Sequence, residues 1–185
     1  MIPSNEDCFR LMDKYQMLDH IKDHSLVVAK VAHLLARNLL VTGIDISVEK
    51  ATAGALMHDI GKTASLQSGQ DHSAIGRKIC LDNNLDEISD IVGEHVRLKN
   101  YDLNGDYSEK EIVFYADKRV NHDRIVRLKD RQIYIIERYG RSHNKLCNAI
   151  RANFELCKKV EKKLFNKLCF SADTLAHLAE HEDIG

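Results

Sequence analysis

Tryptophan is absent from the 185 residues, proline occurs once, and the aromatic share is only 6%. Any core must therefore be mostly aliphatic. One proline and nine glycines leave few positions that break helices. Sustained period-2 alternation is also missing, which argues against a sheet-based fold. No unbroken run of about 18 apolar residues appears, and no basic-then-apolar leader opens the chain. On these grounds the chain is read as soluble and cytoplasmic, with no membrane partner. Net charge is lacking too: 27 Lys and Arg against 28 Asp and Glu give −1. No overall field draws such a chain to nucleic acid or anionic lipid. The five cysteines (Cys8, Cys80, Cys147, Cys157, Cys169) are odd in number, scattered, and form no CxxC. They read as reduced structural thiols rather than a disulfide frame or a zinc knuckle.

What is present is helical. At 44% hydrophobic and 30% charged the chain can bury a real core, and its length suits one domain. Apolar spacings of three and four predict helices over 5–17, 20–41, 47–59, 71–83, 85–96, 108–122, 129–139, 143–169 and 171–181. Ser47 and Asp71 are expected N-caps, and Ser108 with Glu111 forms a capping box. Gly43, the stretch 61–69 and Asn104-Gly105 are expected loops. The fold class is all-α. No repeat or low-complexity segment interrupts it.

The segment 141–170 holds eight Lys and Arg against two Glu. It reads as a solvated helix face, and nucleic acid is not an expected partner, since no recognition motif accompanies the charge. The long helix 143–169 has apolar positions at Leu146, Ile150, Phe154, Cys157, Leu164 and Leu168. They are expected to pack on the rest of the chain and to leave Lys158, Lys159, Lys162 and Lys163 in water.

Six ionisable residues fall on faces that ought to be core. His24 shares its stripe with Ile21, Val28 and Val31; His58 and Asp59 share theirs with Ala51 and Ala55. His72 aligns with Ile75 and Ile79, His95 with Ile88 and Val92, and Asp117 with Val113 and Val120. A single such histidine is ordinary. Four imidazoles and two carboxylates together would carry a heavy desolvation cost unless a cation joins them. His33, His122, His143, His177 and His181 fail the stripe test. His20, four residues before His24, could complete an HxxxH pair or simply help orient His24.

Imidazole and carboxylate donors without thiolate favour a divalent transition metal such as Fe, Mn, Zn, Co or Ni over Mg. Six ligands exceed what one open site needs and fit two ions sharing a bridge, for which Asp59 is the natural candidate. Asp59 and Lys62 are thus the expected catalytic residues. Lys62, just past Gly61, could neutralise a phosphate as a point charge. Arg97 and Arg119, close to His95 and Asp117, are further substrate-binding candidates, with Lys99 beside them. Two alternatives remain open: a single-ion site in which His72 and His95 contact phosphate, and a non-catalytic nucleotide-sensing module.

The blocks "DHSLVVAKVAHLLA" (23–36), "ALMHDIGK" (55–62) and "VFYADKR" (113–119) resemble the first His, the His-Asp pair and the closing Asp of the HD superfamily of metal-dependent phosphohydrolases. "DHSAIG" (71–76) and "GEHV" (93–96) resemble the two additional histidines of members with a dinuclear site. The resemblance covers roughly residues 18–140 and is greatest to small, stand-alone HDIG-type bacterial proteins. It implies a helical bundle over 1–142 with a C-terminal helical extension, 143–185, packed on the same core. It also implies cleavage of a phosphoester or phosphoanhydride of a small nucleotide-type substrate by a metal-bound hydroxide. One ion would sit on His24, His58, Asp59 and Asp117, and a second on Asp59, His72 and His95. The GYP element of cyclic-di-GMP phosphodiesterases is missing. The ligand order with Lys62 is similar to that of HD-type hydrolases of symmetrical dinucleoside tetraphosphates, although "ADKRVNHD" does not clearly match theirs. Self-association is left open.

Overall fold

Short polar side chains start the helices. Ser4 opens α1 (Asn5–Lys14) with a capping box closed by Asp7. Ser47 accepts from the Lys50 amide at the start of α3 (Val48–Met57), and Asp71 accepts from the Ser73 amide at the start of α5 (His72–Asp82). Ser108 and Glu111 make the expected capping box of α7 (Glu109–Lys118). Each satisfies amides that a helix leaves unpaired at its first turn. The computed structural model describes residues 1–140 and 144–184, so the expected boundary at 142/143, residue 143 at the start of the last long helix, and His143 all lie outside the described residues.

Helix α2 (Asp19–Val41) is the central post, packed against α3, α7 and α10 (Leu175–Glu180). Among the described residues it is the one helix long and apolar enough to cross a membrane, a property that unbroken apolar runs did not reveal. Its apolar window is 56% buried within the protein, and its inner face carries His24. Both mark it as a core helix. The second layer is α5 against α6 (Asp86–Glu94), with α6 also packed on α3 and α7.

Several expectations need correction. The stretch 61–69, expected as a loop, contains α4 (Lys62–Ser68). Its two glycines bracket a short helix: Gly61 precedes it, and Gly69 ends it at φ +72°, a left-handed geometry that glycine adopts without strain. Helix α7 stops at Lys118 rather than 122, because Val120–Asn121 (β1) pairs antiparallel with Arg124–Ile125 (β2). The hairpin turns through His122 at φ 55°. Finally, α1 ends at Lys14 because Gln16 takes a positive φ of 51°. Beyond the hairpin, α8 (Leu128–Ile135) runs into a π-helical turn, Ile136–Gly140.

The last long helix, α9 (Asn144–Phe165), ends short of 169. It buries Phe154, Cys157, Val160 and Leu164 in the same apolar core as α2 and α7. Leu146, expected inside, is exposed. Lys158, Lys159 and Lys162 are exposed as expected, but Lys163 is not. Its side chain is 6% exposed and its ammonium donates to both oxygens of Glu111 at 2.9 Å and to the carbonyls of Asp102 and Asp106 at 2.7 Å. A buried lysine needs such partners.

Candidate metal centre

The inward-facing polar residues come from four helix ends and one helix interior, and they meet. His24 lies near the start of α2. His58 caps the C-terminus of α3, with Asp59 next to it. His72 is the first residue of α5, His95 caps α6, and Asp117 lies in the last turn of α7. All six sequence-derived ligand candidates are therefore gathered at one place.

Asp59 sits in the middle, with 1% of its surface exposed. Its Oδ2 faces His58 Nε2 at 3.4 Å and His24 Nε2 at 4.0 Å. Its Oδ1 faces His72 Nε2 at 3.3 Å and His95 Nε2 at 3.5 Å. The donor atoms thus fall into two groups, His24/His58/Asp59 and Asp59/His72/His95, each with its atoms within 4.8 Å of one another. Asp117 joins the first group, with Oδ1 3.2 Å from His24 Nε2 and 3.7 Å from His58 Nε2. One carboxylate is shared between two donor sets.

Three imidazoles are held by their far nitrogens. His58 Nδ1 lies 2.7 Å from the Ala55 carbonyl, and His95 Nδ1 2.7 Å from the Val92 carbonyl. Both carbonyls lie three residues upstream, in the last turn of a helix where such groups lack a partner within the helix. His24 Nδ1 lies 2.8 Å from the His122 carbonyl in the hairpin turn. A carbonyl can only accept, so each Nδ1 carries the proton and each Nε2 points its lone pair inward when the ring is neutral. This is how ligand histidines are oriented in metal sites.

Electrostatics follow the geometry. Burial pushes His95 down to about 4, so it stays neutral at pH 7. His58 moves up: burial works against its charge, but the Asp59 and Asp117 carboxylates outweigh it. Burial would raise both aspartates, yet neighbouring groups hold them well below the ordinary carboxylate range, chiefly His58 for Asp59 and Lys118 for Asp117. His58 Nε2 and Asp59 Oδ1 are buried with no hydrogen-bond partner. Orphaned buried polar atoms of this kind are rare in proteins. A lone pair and a carboxylate oxygen that lack donors are what a divalent cation satisfies, so the donor set fits such an ion.

Lys62 donates to Asp59 Oδ2 at 2.8 Å while its side chain remains 38% exposed, placing it at the mouth. Burial opposes its charge; Asp59 first, then Asp117 and the Tyr139 phenol, more than offset this and raise it. Arg97 is exposed near His95. Arg119 requires a correction, because it is 4% exposed and fully engaged. Its Nε donates to the Val126 carbonyl at 2.7 Å, one terminal nitrogen to Tyr115 Oη and Glu161, and the other to the Ala172 carbonyl at 2.9 Å. It ties the hairpin and α9 to α7, with each of its three nitrogens bonded inside the protein. His20 is exposed at the start of α2 and is not among the clustered donor groups.

Sequence reasoning missed two participants. Lys118 is buried beside the centre, donating to Asp117 Oδ2 at 3.0 Å and to the His95 carbonyl. His122 contributes through its backbone carbonyl, which no side-chain pattern reports. The only hint is the Asn-His-Asp run, which reads as a turn.

A family model described as "HD domain" matches residues 21–131. A tRNA (cytidine(56)-2'-O)-methyltransferase of Thermoplasma volcanium is 33% identical over 97 residues, covering 52% of this chain and 27% of that protein. Its counterpart in Picrophilus torridus is 31% identical over 141 residues, covering 69% of this chain and 39% of that one. An uncharacterized protein of Methanocaldococcus jannaschii is 24% identical over 151 residues, covering 75% of this chain and 88% of the other. The chain thus spans only about a quarter to two-fifths of the methyltransferases it matches. No solved structure matches.

Proposed function

Because this chain belongs to the HD-domain family, whose fold is that of metal-dependent hydrolases, we propose that it is a phosphohydrolase acting on a phosphoester or phosphoanhydride of a small nucleotide-type substrate. The observation that carries this is Asp59, whose two oxygens serve separate histidine pairs. Two transition-metal ions would be held by His24, His58, Asp59 and Asp117 on one side, and by Asp59, His72 and His95 on the other. When bound they supply Lewis acidity to phosphoryl oxygens and an acidified water. The carbonyl-held imidazoles keep the donor geometry fixed before substrate arrives, so little reorganisation accompanies binding. Lys62 has its ammonium at the mouth, where it binds and orients a phosphoryl oxygen as a point charge.

The names of the two methyltransferases describe methyl transfer to a ribose oxygen of tRNA. A buried His/Asp donor cluster is not what such a transfer needs, so the shared stretch supports the HD part and not their named activity. They do favour a second reading, in which the phosphoester belongs to an RNA. One experiment addresses both. The purified protein is analysed for metal and then assayed with Mn²⁺, Fe²⁺ and Co²⁺ against nucleoside mono-, di- and triphosphates, dinucleoside polyphosphates and short RNAs. Metal-dependent hydrolysis of a nucleotide, read by chromatography of the products, supports the first reading, and hydrolysis of RNA alone supports the second. Full metal loading with no turnover on any of them favours a sensing module.

A further inference from the structure

A cluster of aromatic and basic side chains adjoins the metal centre without belonging to it. The hairpin residue His122 offers its carbonyl to His24 at 2.8 Å, and its ring meets Tyr134 edge-on with centroids 5.3 Å apart. Tyr134 in α8 is flanked by two guanidiniums, those of Arg131 at 5.6 Å and Arg138 at 5.9 Å from its ring centroid. Arg138 also donates to Tyr134 Oη at 2.6 Å and lies 5.6 Å from the Tyr139 ring. Tyr139 is 54% exposed.

A large aromatic ring held this open, backed by a guanidinium, is poorly explained as packing. Arg131 shows a related incompleteness: one terminal nitrogen donates to Asn121 Oδ1 at 2.7 Å, while its Nε is buried without a partner. Arg138 and Tyr139 lie on the π-helical turn Ile136–Gly140, and single π turns occur frequently at functional sites. The cluster therefore borders the centre through His122, whose carbonyl holds His24 and whose ring meets Tyr134.

We infer that Tyr139, backed by Arg138 and Tyr134, is a stacking subsite for the nucleobase of a substrate whose phosphate sits at the metal centre. This rests on the phosphohydrolase reading and deepens it, by distinguishing a nucleotide from a sugar phosphate. Every base has a π face that an exposed tyrosine can meet, and an arginine strengthens such stacks. The subsite would thus select for a base while tolerating its identity, with purines favoured by their larger face.

Calorimetric titration of the purified protein with AMP, GMP, CMP and UMP, each against ribose 5-phosphate, tests the subsite without turnover. The base should tighten binding by about tenfold for at least one purine nucleotide. In Tyr139→Ala that ratio should fall toward one, and Tyr139→Phe should restore it. Equal affinity for ribose 5-phosphate and all four nucleotides overturns the subsite, as does a ratio that persists in Tyr139→Ala. If neither kind of phosphate binds, the phosphate-holding role of the centre falls as well, which separates the two failures.

Discussion

Gly61 and Gly76 bring two segments of backbone together beneath the centre. A Cβ on Gly61 would lie 2.6 Å from the Gly76 amide nitrogen and in contact with the His72 carbonyl. This close approach lets the first turn of α5 rest against the His58-Asp59 turn, so that His72 Nε2 reaches Asp59 Oδ1 at 3.3 Å.

Gly61→Ala should therefore push α5 outward, since backbone atoms cannot yield as a flexible side chain does. A loss of about 1–3 kcal/mol of stability is expected from the overpacking. The telling result is selective: His72 and His95 should lose their ion before His24, His58 and Asp117 lose theirs. Equal loss from both halves, read by elemental analysis of the purified variant, would contradict this placement.

The thiols should divide by burial. Burial pushes Cys8 and Cys80 up to about 12, and Cys157 upward as well. The reactive species is the thiolate, so these three should resist a disulfide reagent at pH 8. Cys169 is exposed and should react at once, while Cys147, half-buried with its Sγ donating to the Gly140 carbonyl at 3.2 Å, should react more slowly. Native protein should show two reactive thiols and denatured protein five. Fast reaction of a third native thiol would mean that the core around Cys8, Cys80 or Cys157 opens readily.

Lys118 should behave as a stand-in cation. Its ammonium lies 3.0 Å from Asp117 Oδ2 and its side chain is 5% exposed. Lys118→Met leaves the largely buried Asp117 charge and the His95 carbonyl short of a partner, and breaking a buried pair costs about 3–5 kcal/mol. A bound divalent ion would return much of the compensation to Asp117. Melting curves should then show a large deficit in metal-free Lys118→Met and a smaller one with Mn²⁺ in excess. A deficit that metal leaves unchanged would show that Lys118 acts through packing alone.

The centre was largely legible in the sequence because its six donors lie on stripes otherwise apolar, and a period of 3.6 reports which face turns inward. Ser47, Asp71 and the Ser108–Glu111 box were legible for a related reason, since N-caps act within three residues of themselves. What escaped depends on distant partners. Lys163 looks like its exposed neighbours Lys159 and Lys162, and partners 52 or more residues away, Glu111 with the Asp102 and Asp106 carbonyls, bring it inside. Arg119 sits next to the ligand region in sequence, but Glu161 and the Ala172 carbonyl claim its guanidinium. The hairpin that ends α7 is too short to show alternation, so the helical spacing of Val113 and Val120 carried the expectation past Lys118. Helix α4 buries none of its residues, which removes the apolar stripe that would have announced it.

Counting ions separates one metal from two. Asp59 is common to both donor groups, whereas His95 serves one and His24 the other. Asp59→Ala should therefore abolish metal-dependent turnover and bound metal together. It should also erase the rise in melting temperature expected of the wild type in saturating Mn²⁺, a stabilisation of about 2.7 kcal/mol at a hundredfold excess over Kd. His95→Ala should lose about one ion of two. The ion that remains keeps its four donors, so some metal-induced stabilisation should survive while kcat falls by orders of magnitude. In the single-ion alternative, His72 and His95 contact phosphate, and His95→Ala should keep its full metal content and mainly raise KM, as expected when uniform binding is lost. The geometry favours two ions, because His72 and His95 face Asp59 Oδ1 at 3.3 and 3.5 Å and leave that buried oxygen without any hydrogen-bond donor. Wild-type metal content in both His72→Ala and His95→Ala would end the two-ion assignment.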